Sequence, residues 1–326
     1  MNLDVIVPTH NREALLARTL DSLLAAERPE DLEVRVIVGD NASTDGTAAL
    51  VRRQAPRFKG GLQYLFVREP GKAYVLNACL AATSGELVGF IDDDEEIDPG
   101  WFRCVRREFG REEVDFIGGK CLPRWEAPAP AWLGDGYLGV IGWVDPGDAA
   151  QPMDETYPGI LMGGNAVVRR SLLARVGEYS TSLNRTGQRL LGCEDEDMYQ
   201  RLLASGGRGL YRPDLVIHHF VPKARLTRRY FRKWCFWRGV SRGLIDRSRP
   251  AAVVYLGGIP RYLYGRAARG LLRIASPRRG GPAARFASEL ALWDLAGFAY
   301  GKLLYRVPQP RAAGAASAVR AQNPVT

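Results

Sequence analysis

Between residues 3 and 94, four short apolar runs alternate with amphipathic stretches, and that alternation leaves few folds open. The runs at 3–7, 33–38, 62–67 and 87–91 have strand length and are rich in Val, Ile, Leu and Phe. The stretches at 13–26, 47–53 and 73–82 read as helices. Alternation of this kind predicts an α/β fold with a mainly parallel sheet flanked by helices. Each run ends in polar or turn residues: Pro8-Thr9-His10-Asn11-Arg12, Asp40-Asn41-Ala42-Ser43-Thr44-Asp45-Gly46, Arg68-Glu69-Pro70-Gly71-Lys72 and Asp92-Asp93-Asp94. Parallel strands share a direction, so the four loops should gather on one edge of the sheet, where such sheets bind ligands.

The last loop carries the strongest chemical signal. Three adjacent carboxylates repel one another, and a hard divalent cation with oxygen ligands would relieve the repulsion and hold a diphosphate. The plainer alternative is a solvated turn that caps the next helix. In the second loop, Ser43, Thr44 and Asp45 read as helix caps, whereas Asp40, at the strand end, reads as a ligand contact. A second acidic cluster, Glu194-Asp195-Glu196-Asp197, opens a helix expected at 194–205, where the dipole favours acids. Glu196 fits that role; a neighbouring carboxylate facing the site in a partly desolvated place could serve as a general base. His218 and His219 close a short strand expected at 215–218. Alternation lets only one of them face the site, where a neutral imidazole could complete a metal site.

Residues 119–160 are dense in Pro, Gly and Trp and read as a long, partly irregular insertion near the site. A glycine turn and a strand follow over 160–168, through Gly163, Gly164 and Asn165. From 226 to 244, Leu226, Tyr230, Trp234, Trp237, Val240 and Leu244 share one helical face, and Arg228, Arg232 and Arg242 lie largely on another. Such a helix suits either an anionic membrane interface or docking on the rest of the protein. Residues 306–326 are rich in Ala and Pro and read as a disordered tail.

The chain has 326 residues and a formal charge of +9, and Arg dominates after Arg225. A basic end suits an anionic surface, either membrane or nucleic acid. The five cysteines are scattered without a Cys-x-x-Cys pair, which argues against a zinc knuckle or a disulfide framework and for a reducing compartment. No uninterrupted apolar run reaches the length of a spanning helix. The first residues pass directly into a strand, so no signal peptide is expected.

Six segments in order now make a resemblance visible: Val-Pro-Thr-His-Asn-Arg at 7–12, Gly-Asp-Asn-Ala-Ser-Thr-Asp-Gly-Thr at 39–47, Pro-Gly-Lys-Ala-Tyr-Val-Leu-Asn at 70–77, Phe-Ile-Asp-Asp-Asp at 90–94, Arg-Arg-Ser-Leu-Leu-Ala-Arg-Val-Gly-Glu-Tyr at 169–179 and Glu-Asp-Glu-Asp at 194–197. Over residues 2–240 the chain resembles a family-two glycosyltransferase with the Rossmann-like GT-A fold. The resemblance implies a catalytic domain over 1–224, with a nucleotide-binding half to 118 and an acceptor half from 119. A basic helical extension would follow over 225–305.

By that resemblance Pro8, Thr9, Arg12, Asp40, Lys72, Asp92 and Asp93 would bind the nucleotide, with Asp40 reading the base. Asp94, Asp92 and His219 would hold Mn²⁺ or Mg²⁺; the doubled histidine keeps His218 as a second candidate. Asp195 would be the catalytic base, with Glu194 as its alternate. Gly163, Gly164 and Asn165 would shape the donor and acceptor pocket. The implied reaction is inverting transfer from a nucleoside-diphosphate sugar, a UDP-sugar favoured, to a glycan or lipid-linked acceptor. The implied setting is bacterial surface polysaccharide assembly in the cytoplasm, peripheral to the inner face of the membrane. Two other readings compete: a basic nucleic-acid-binding protein, and a glycosyltransferase-like scaffold without catalysis. The aromatic residues after Arg225 share a face with Leu and Val, which disfavours nucleic acid. The intact Asp92, Asp94 and Asp195 disfavour the scaffold.

Overall fold

A computed structural model describes residues 1–111, 113–183, 190–275 and 281–307, together with the backbone of 320–321. Strand β1 (Asn2–Thr9) pairs in parallel with β2 (Glu33–Asp40) and with β4 (Leu87–Phe90); β2 also pairs in parallel with β3 (Leu62–Phe66). Helices α1 (Glu13–Ala25), α2 (Thr47–Gln54) and α3 (Lys72–Ala81) connect them. The four strand-end loops therefore share one edge, as the alternation predicts.

Side-chain alternation divides the core into two layers. Leu3, Val5 and Val7 of β1 meet Leu16, Leu20 and Leu23 of α1 on one face of the sheet. Ile6 meets Val75, Leu76 and Cys79 of α3 on the other. Both faces are covered, which is why apolar residues fall on both sides of the central strands; the buried Asp4 is balanced by Arg35 of β2 at 2.7 Å. Each fully buried leucine of α1 contributes about 1.5–3 kcal/mol.

Beyond β4 the chain departs from the sequence reading. A short strand, β5 (Glu95–Ile97), follows the three aspartates directly, and α4 (Trp101–Phe109) packs Trp101, Phe102 and Val105 into the first layer. The stretch from 119 to 160, expected to be largely irregular, continues a ten-residue strand, β6 (Phe116–Trp125). It then holds a 3-10 segment (Asp135–Ile141) and a short β7 (Gln151–Met153). Strand β8 (Ala166–Arg169) lies antiparallel between β4 and β6, followed by α5 (Arg170–Val176) and α6 (Glu194–Ala204). The strand expected at 215–218 is part of β9 (Gly209–Val221), parallel to β6 and antiparallel to β5 and β7. The resulting sheet order is β3-β2-β1-β4-β8-β6-β9-β5: a parallel half joined to a mixed half.

Helix α7 (Arg228–Ser248) docks rather than lying free. Phe231 and Cys235 are fully buried with Ile141 and Val221, and Val240 and Leu244 pack on Leu183 and Leu191. Helix α9 (Pro282–Ala299) and the π turn Tyr300–Leu304 run parallel to α7 along its length, and α8 (Arg261–Ala275) packs against α9. A Cβ placed on Gly239 would overlap the Asp294 carbonyl, and one on Gly297 the Phe236 carbonyl, so the α7 and α9 backbones nearly touch. The arginines of α7 are tied down too: Arg238 donates to Asp294 at 2.8 and 3.0 Å, and Arg232 to Glu289 at 2.6 and 3.1 Å. Of the expected disordered tail, 308–319 and 322–326 lie outside the described residues; Arg320–Ala321 pairs antiparallel with β3.

Candidate active site

A cleft of about 460 Å³ opens at the carboxyl edge of β1, β2 and β4. It is lined by Pro8, Thr9, His10, Arg12, Asn41, Lys72, Val75, Asp92, Asp93, Asp94, His219 and Arg225. Eight of these were singled out from sequence; His10, Asn41, Val75 and Arg225 were not. Arg225 lies seven residues after His218 in a basic run, with nothing local to set it apart from its neighbours.

The three aspartates diverge. Asp93 accepts from the Thr9 hydroxyl at 2.8 Å and from Arg12 at 2.8 Å. Burial pushes its carboxyl up to about 6, against the pull of Arg12 and with the help of Asp94. Asp94 accepts from Arg12 at 3.0 Å and Arg225 at 3.3 Å, with the His219 Nε2 3.6 Å away. Burial opposes its charge, but Arg225 and Arg12 together hold its pKa well below the usual carboxylate range. Asp92 instead meets the Lys72 ammonium at 2.7 Å. Behind the turn, the buried Glu95 accepts from the Asp92 amide at 2.7 Å, and burial beside Asp92 and Asp94 raises its pKa strongly. Glu95 sits against the backbone of Gly164, where any Cβ would collide with its carboxylate.

His219 donates from Nδ1 to the Ile141 carbonyl at 2.8 Å, which leaves Nε2 as an acceptor toward the site; Arg225 donates to it at 3.1 Å. His219 is the buried member of the doubled histidine, and His218 pairs outward across from Glu96. Asp94 Oδ2 and His219 Nε2 thus converge on one point, now bridged by a guanidinium. Two such donors suit Mg²⁺ or Mn²⁺, which complete their shell with water and substrate phosphates. The third expected ligand, Asp92, is turned to Lys72. Among the described residues no group of three or more His, Cys, Asp or Glu forms a closed metal cage.

Lys72 connects the cleft to the second acidic cluster: its ammonium lies 4.0 Å from Glu194. Desolvation works against the lysine charge, but Asp92, Asp195 and Glu194 outweigh it and raise its pKa. Asp195, in the first turn of α6, borders a small cavity of about 10 Å³ with Gly163, Tyr179 and Met198. Its Oδ1 is buried and has no hydrogen-bond partner. Burial, reinforced by Glu194 and opposed by Lys72, pushes this carboxyl up to about 7. A Cβ on Gly163 would overlap Oδ1, so glycine there makes room for the carboxylate. Cys193, just before α6, has a left-handed φ of 65°; Asn11 and Ala42, in the first two loops, have 51° and 55°. Among the described residues these are the only non-glycine residues at positive φ, and each is next in the chain to a residue of the site, where such strain commonly gathers.

Two expected pocket residues do other work. The Asp40 carboxylate is buried, accepting from the Ser43 amide at 2.9 Å and the Tyr64 hydroxyl at 2.6 Å; Asn41, one residue on, lines the cleft in its place. Asn165 is fully buried as a brace. It accepts from Trp101 Nε1 at 2.9 Å and donates to the carbonyls of Lys120 and Leu215, each at 2.9 Å. A short polar side chain with both functions satisfied ties α4, β6 and β9 together and leaves nothing for a ligand.

A parallel half, a mixed second half and acids at their junction define the GT-A class of sugar-transfer proteins. Residues 4–177 match the model of glycosyl transferase family 2, and the chain belongs to that family. The succinoglycan biosynthesis protein ExoM of Rhizobium meliloti is 26% identical over 246 residues, 74% of each chain. The glucosyl-dolichyl phosphate glucuronosyltransferase of Haloferax volcanii is 23% identical over 262 residues, 77% of this chain and 80% of its own. Among solved structures, the Pyrobaculum calidifontis mannosyltransferase in complex with GDP-Man and Mn²⁺ shares the fold, with a TM-score of 0.59, 24% identity and coverage of 92% of this chain and 86% of that one. Staphylococcus aureus TarS 1–349 with UDP gives 0.54 at 17% identity, covering 93% and 90%.

Proposed function

We propose that this chain is an inverting hexosyltransferase that uses a divalent cation, Mn²⁺ or Mg²⁺. It moves a sugar from a nucleoside-diphosphate donor, a UDP-sugar favoured, to a hydroxyl of a glycan or lipid-linked acceptor during surface polysaccharide assembly. One observation carries the reading: Lys72 joins a cleft rich in Arg, His and Asp to Glu194, next to Asp195, whose buried Oδ1 has no hydrogen-bond partner. The names of relatives support the acceptor class: a succinoglycan biosynthesis protein and a glucosyl-dolichyl phosphate glucuronosyltransferase. A transferase solved with GDP-Man and Mn²⁺ and another solved with UDP support the donor class and the cation.

In this mechanism Pro8, Thr9 and Asn41 border the nucleoside, and Arg12, Lys72 and Arg225 face the diphosphate. Asp94 and His219 would hold the cation, which when bound neutralises charge on the leaving diphosphate. Lys72 keeps its proton and its charge near the same group. Asp195 accepts the acceptor hydroxyl proton on its carboxylate as that hydroxyl attacks the anomeric carbon from the face opposite the diphosphate, which leaves as the bond breaks, so the configuration inverts. Its raised pKa matches a base that works near neutrality. Glu194 and Gly163 position it, and Gly164 with Glu95 hold the aspartate turn from behind.

Calorimetric titration with UDP, GDP and dTDP, with and without Mn²⁺, tests the donor side. Saturable binding of one diphosphate, strengthened by Mn²⁺, is expected, with UDP tightest. Equal affinity with and without the cation would remove the metal role, and no binding by any of the three would remove the donor assignment.

A further inference from the structure

Among the described residues, every large apolar side chain left exposed, except Ile160, lies beyond residue 250. The most exposed are Val254 at 67%, Leu256 at 61%, Leu272 and Leu304 at 71%, and Leu271 and Leu303 at 54%. They belong to three neighbouring pieces of chain. Leu256 sits in the small hairpin of Tyr255–Leu256 and Ile259–Pro260. Leu303, in the π turn, has its Cδ2 3.5 Å from the place a Cβ on Gly258 would take at the hairpin tip. The Tyr264 hydroxyl of α8 donates to the Leu256 carbonyl at 3.3 Å. Helix α8 turns Leu263, Ala267 and Gly270 inward and leaves Leu271 and Leu272 exposed. Arg266, Arg269 and Arg273 are exposed too; at spacings of three and four they form a stripe on a different side of the helix from those leucines.

The charge of this region is one-sided. From 250 to 307 the chain has nine Lys and Arg against two acids, Glu289 and Asp294. Both acids are engaged by α7, through Arg232 and Arg238. No ion pair neutralises Arg266, Arg269 or Arg273 among the described residues, and no helix there is long and apolar enough to cross a membrane. A second copy of the same face would bring arginine against arginine. Leucine and valine, not stacked aromatics, make up most of the patch, which does not suit nucleic-acid bases.

We propose that this face, built from the 255–260 hairpin, α8 and the 300–304 turn, docks on an anionic lipid surface. The leucines would enter the outer hydrocarbon and the α8 arginines would meet the headgroups. Helix α7, the part of the chain whose spacing most suggested a membrane helix, is excluded because its apolar face is buried within the protein. The proposal deepens the lipid-linked branch of the acceptor reading, since docking would hold the enzyme where such an acceptor resides. It stands on the surface independently of the donor chemistry.

The test is cosedimentation of the full chain with vesicles of phosphatidylcholine alone and of equal parts phosphatidylcholine and phosphatidylglycerol, at low and high salt. Binding to the anionic vesicles that weakens with salt is expected. The triple variant Leu256→Asp, Leu272→Asp, Leu304→Asp should lose that binding while keeping the wild-type melting temperature and diphosphate affinity. Replacing Arg266, Arg269 and Arg273 by Gln should lower partitioning about fivefold per residue. Wild type left in the supernatant, binding unchanged in the leucine variant, or a stable oligomer by light scattering that the leucine variant dissociates would each overturn the proposal. Unaltered diphosphate affinity in the same samples would separate that failure from a failure of the transferase reading.

Discussion

Asp195 and Arg225 matter for opposite reasons: one carboxylate oxygen of Asp195 has no hydrogen-bond partner, and the Arg225 guanidinium has two. If Asp195 is the proposed base, its raised pKa means that it must lose its proton before it can act. Transfer should therefore rise with pH through about 7 and level off above it, because only the carboxylate accepts a proton. Glu194→Gln removes a neighbouring negative charge and should move that midpoint to lower pH. Asp195→Asn should lower transfer by about 10²–10⁴-fold and leave diphosphate affinity near wild type. A pH profile of transfer for the three proteins settles the matter, and an active Asn variant would reassign the base. Arg225 bridges Asp94 and His219, the two groups proposed to hold the cation. Its guanidinium should therefore compete with free Mn²⁺. Arg225→Met should bind Mn²⁺ about ten- to hundredfold more tightly without nucleotide, the equivalent of one charge-assisted hydrogen bond. Electron paramagnetic resonance of free Mn²⁺ reads this directly, and equal affinities would show that the arginine does not occupy the cation position.

At the scale of elements, α7 and α9 are joined by backbone contact as much as by side chains. Gly239 and Gly243 on α7 face Gly297 and Gly301, and at each a Cβ would strike a backbone atom of the other helix. Such proximity lets Arg238 reach the buried Asp294. Gly297→Ala must separate the helices, and overpacking of this kind costs about 1–3 kcal/mol. A drop in the urea midpoint with an unchanged slope is the expected result. A variant as stable as wild type would mean that the helices can slide apart without cost. The same substitution at Gly265, on α8, meets only the Arg269 side chain and should be nearly neutral or slightly stabilising.

Across the whole molecule, the C-terminal helices complete the catalytic part. Arg249 pairs with the buried Asp197 of α6, and Ser241 accepts from the Gly192 amide at 3.0 Å, next to the turn that aims Asp195. Phe231 and Cys235 cover Ile141 and Val221, and Ile141 supplies the carbonyl that orients His219. A chain ending at Arg225 should therefore lose cooperative unfolding and diphosphate binding together, as followed by circular dichroism and calorimetry. A truncated protein that folds cooperatively and binds diphosphate would show the helices to be an independent appendage.

Local pattern was enough for the parallel half of the sheet and its loops. Val, Ile and Leu at strand length between helical spacings can be buried on both faces in few ways, and parallel pairing then places Thr9, Arg12, Lys72 and the aspartates on one edge. The same reasoning could not find β6 beneath its Pro, Gly and Trp content, because that strand is stabilised by β8 and β9, far away in sequence. It could not see that Asp40 is captured by Tyr64, that Asn165 is spent on Trp101, or that Arg225 reaches Asp94 across 131 positions. Nor could it separate α7 from a membrane helix. An apolar stripe records that a face must leave water, and only tertiary packing decides whether protein or lipid covers it.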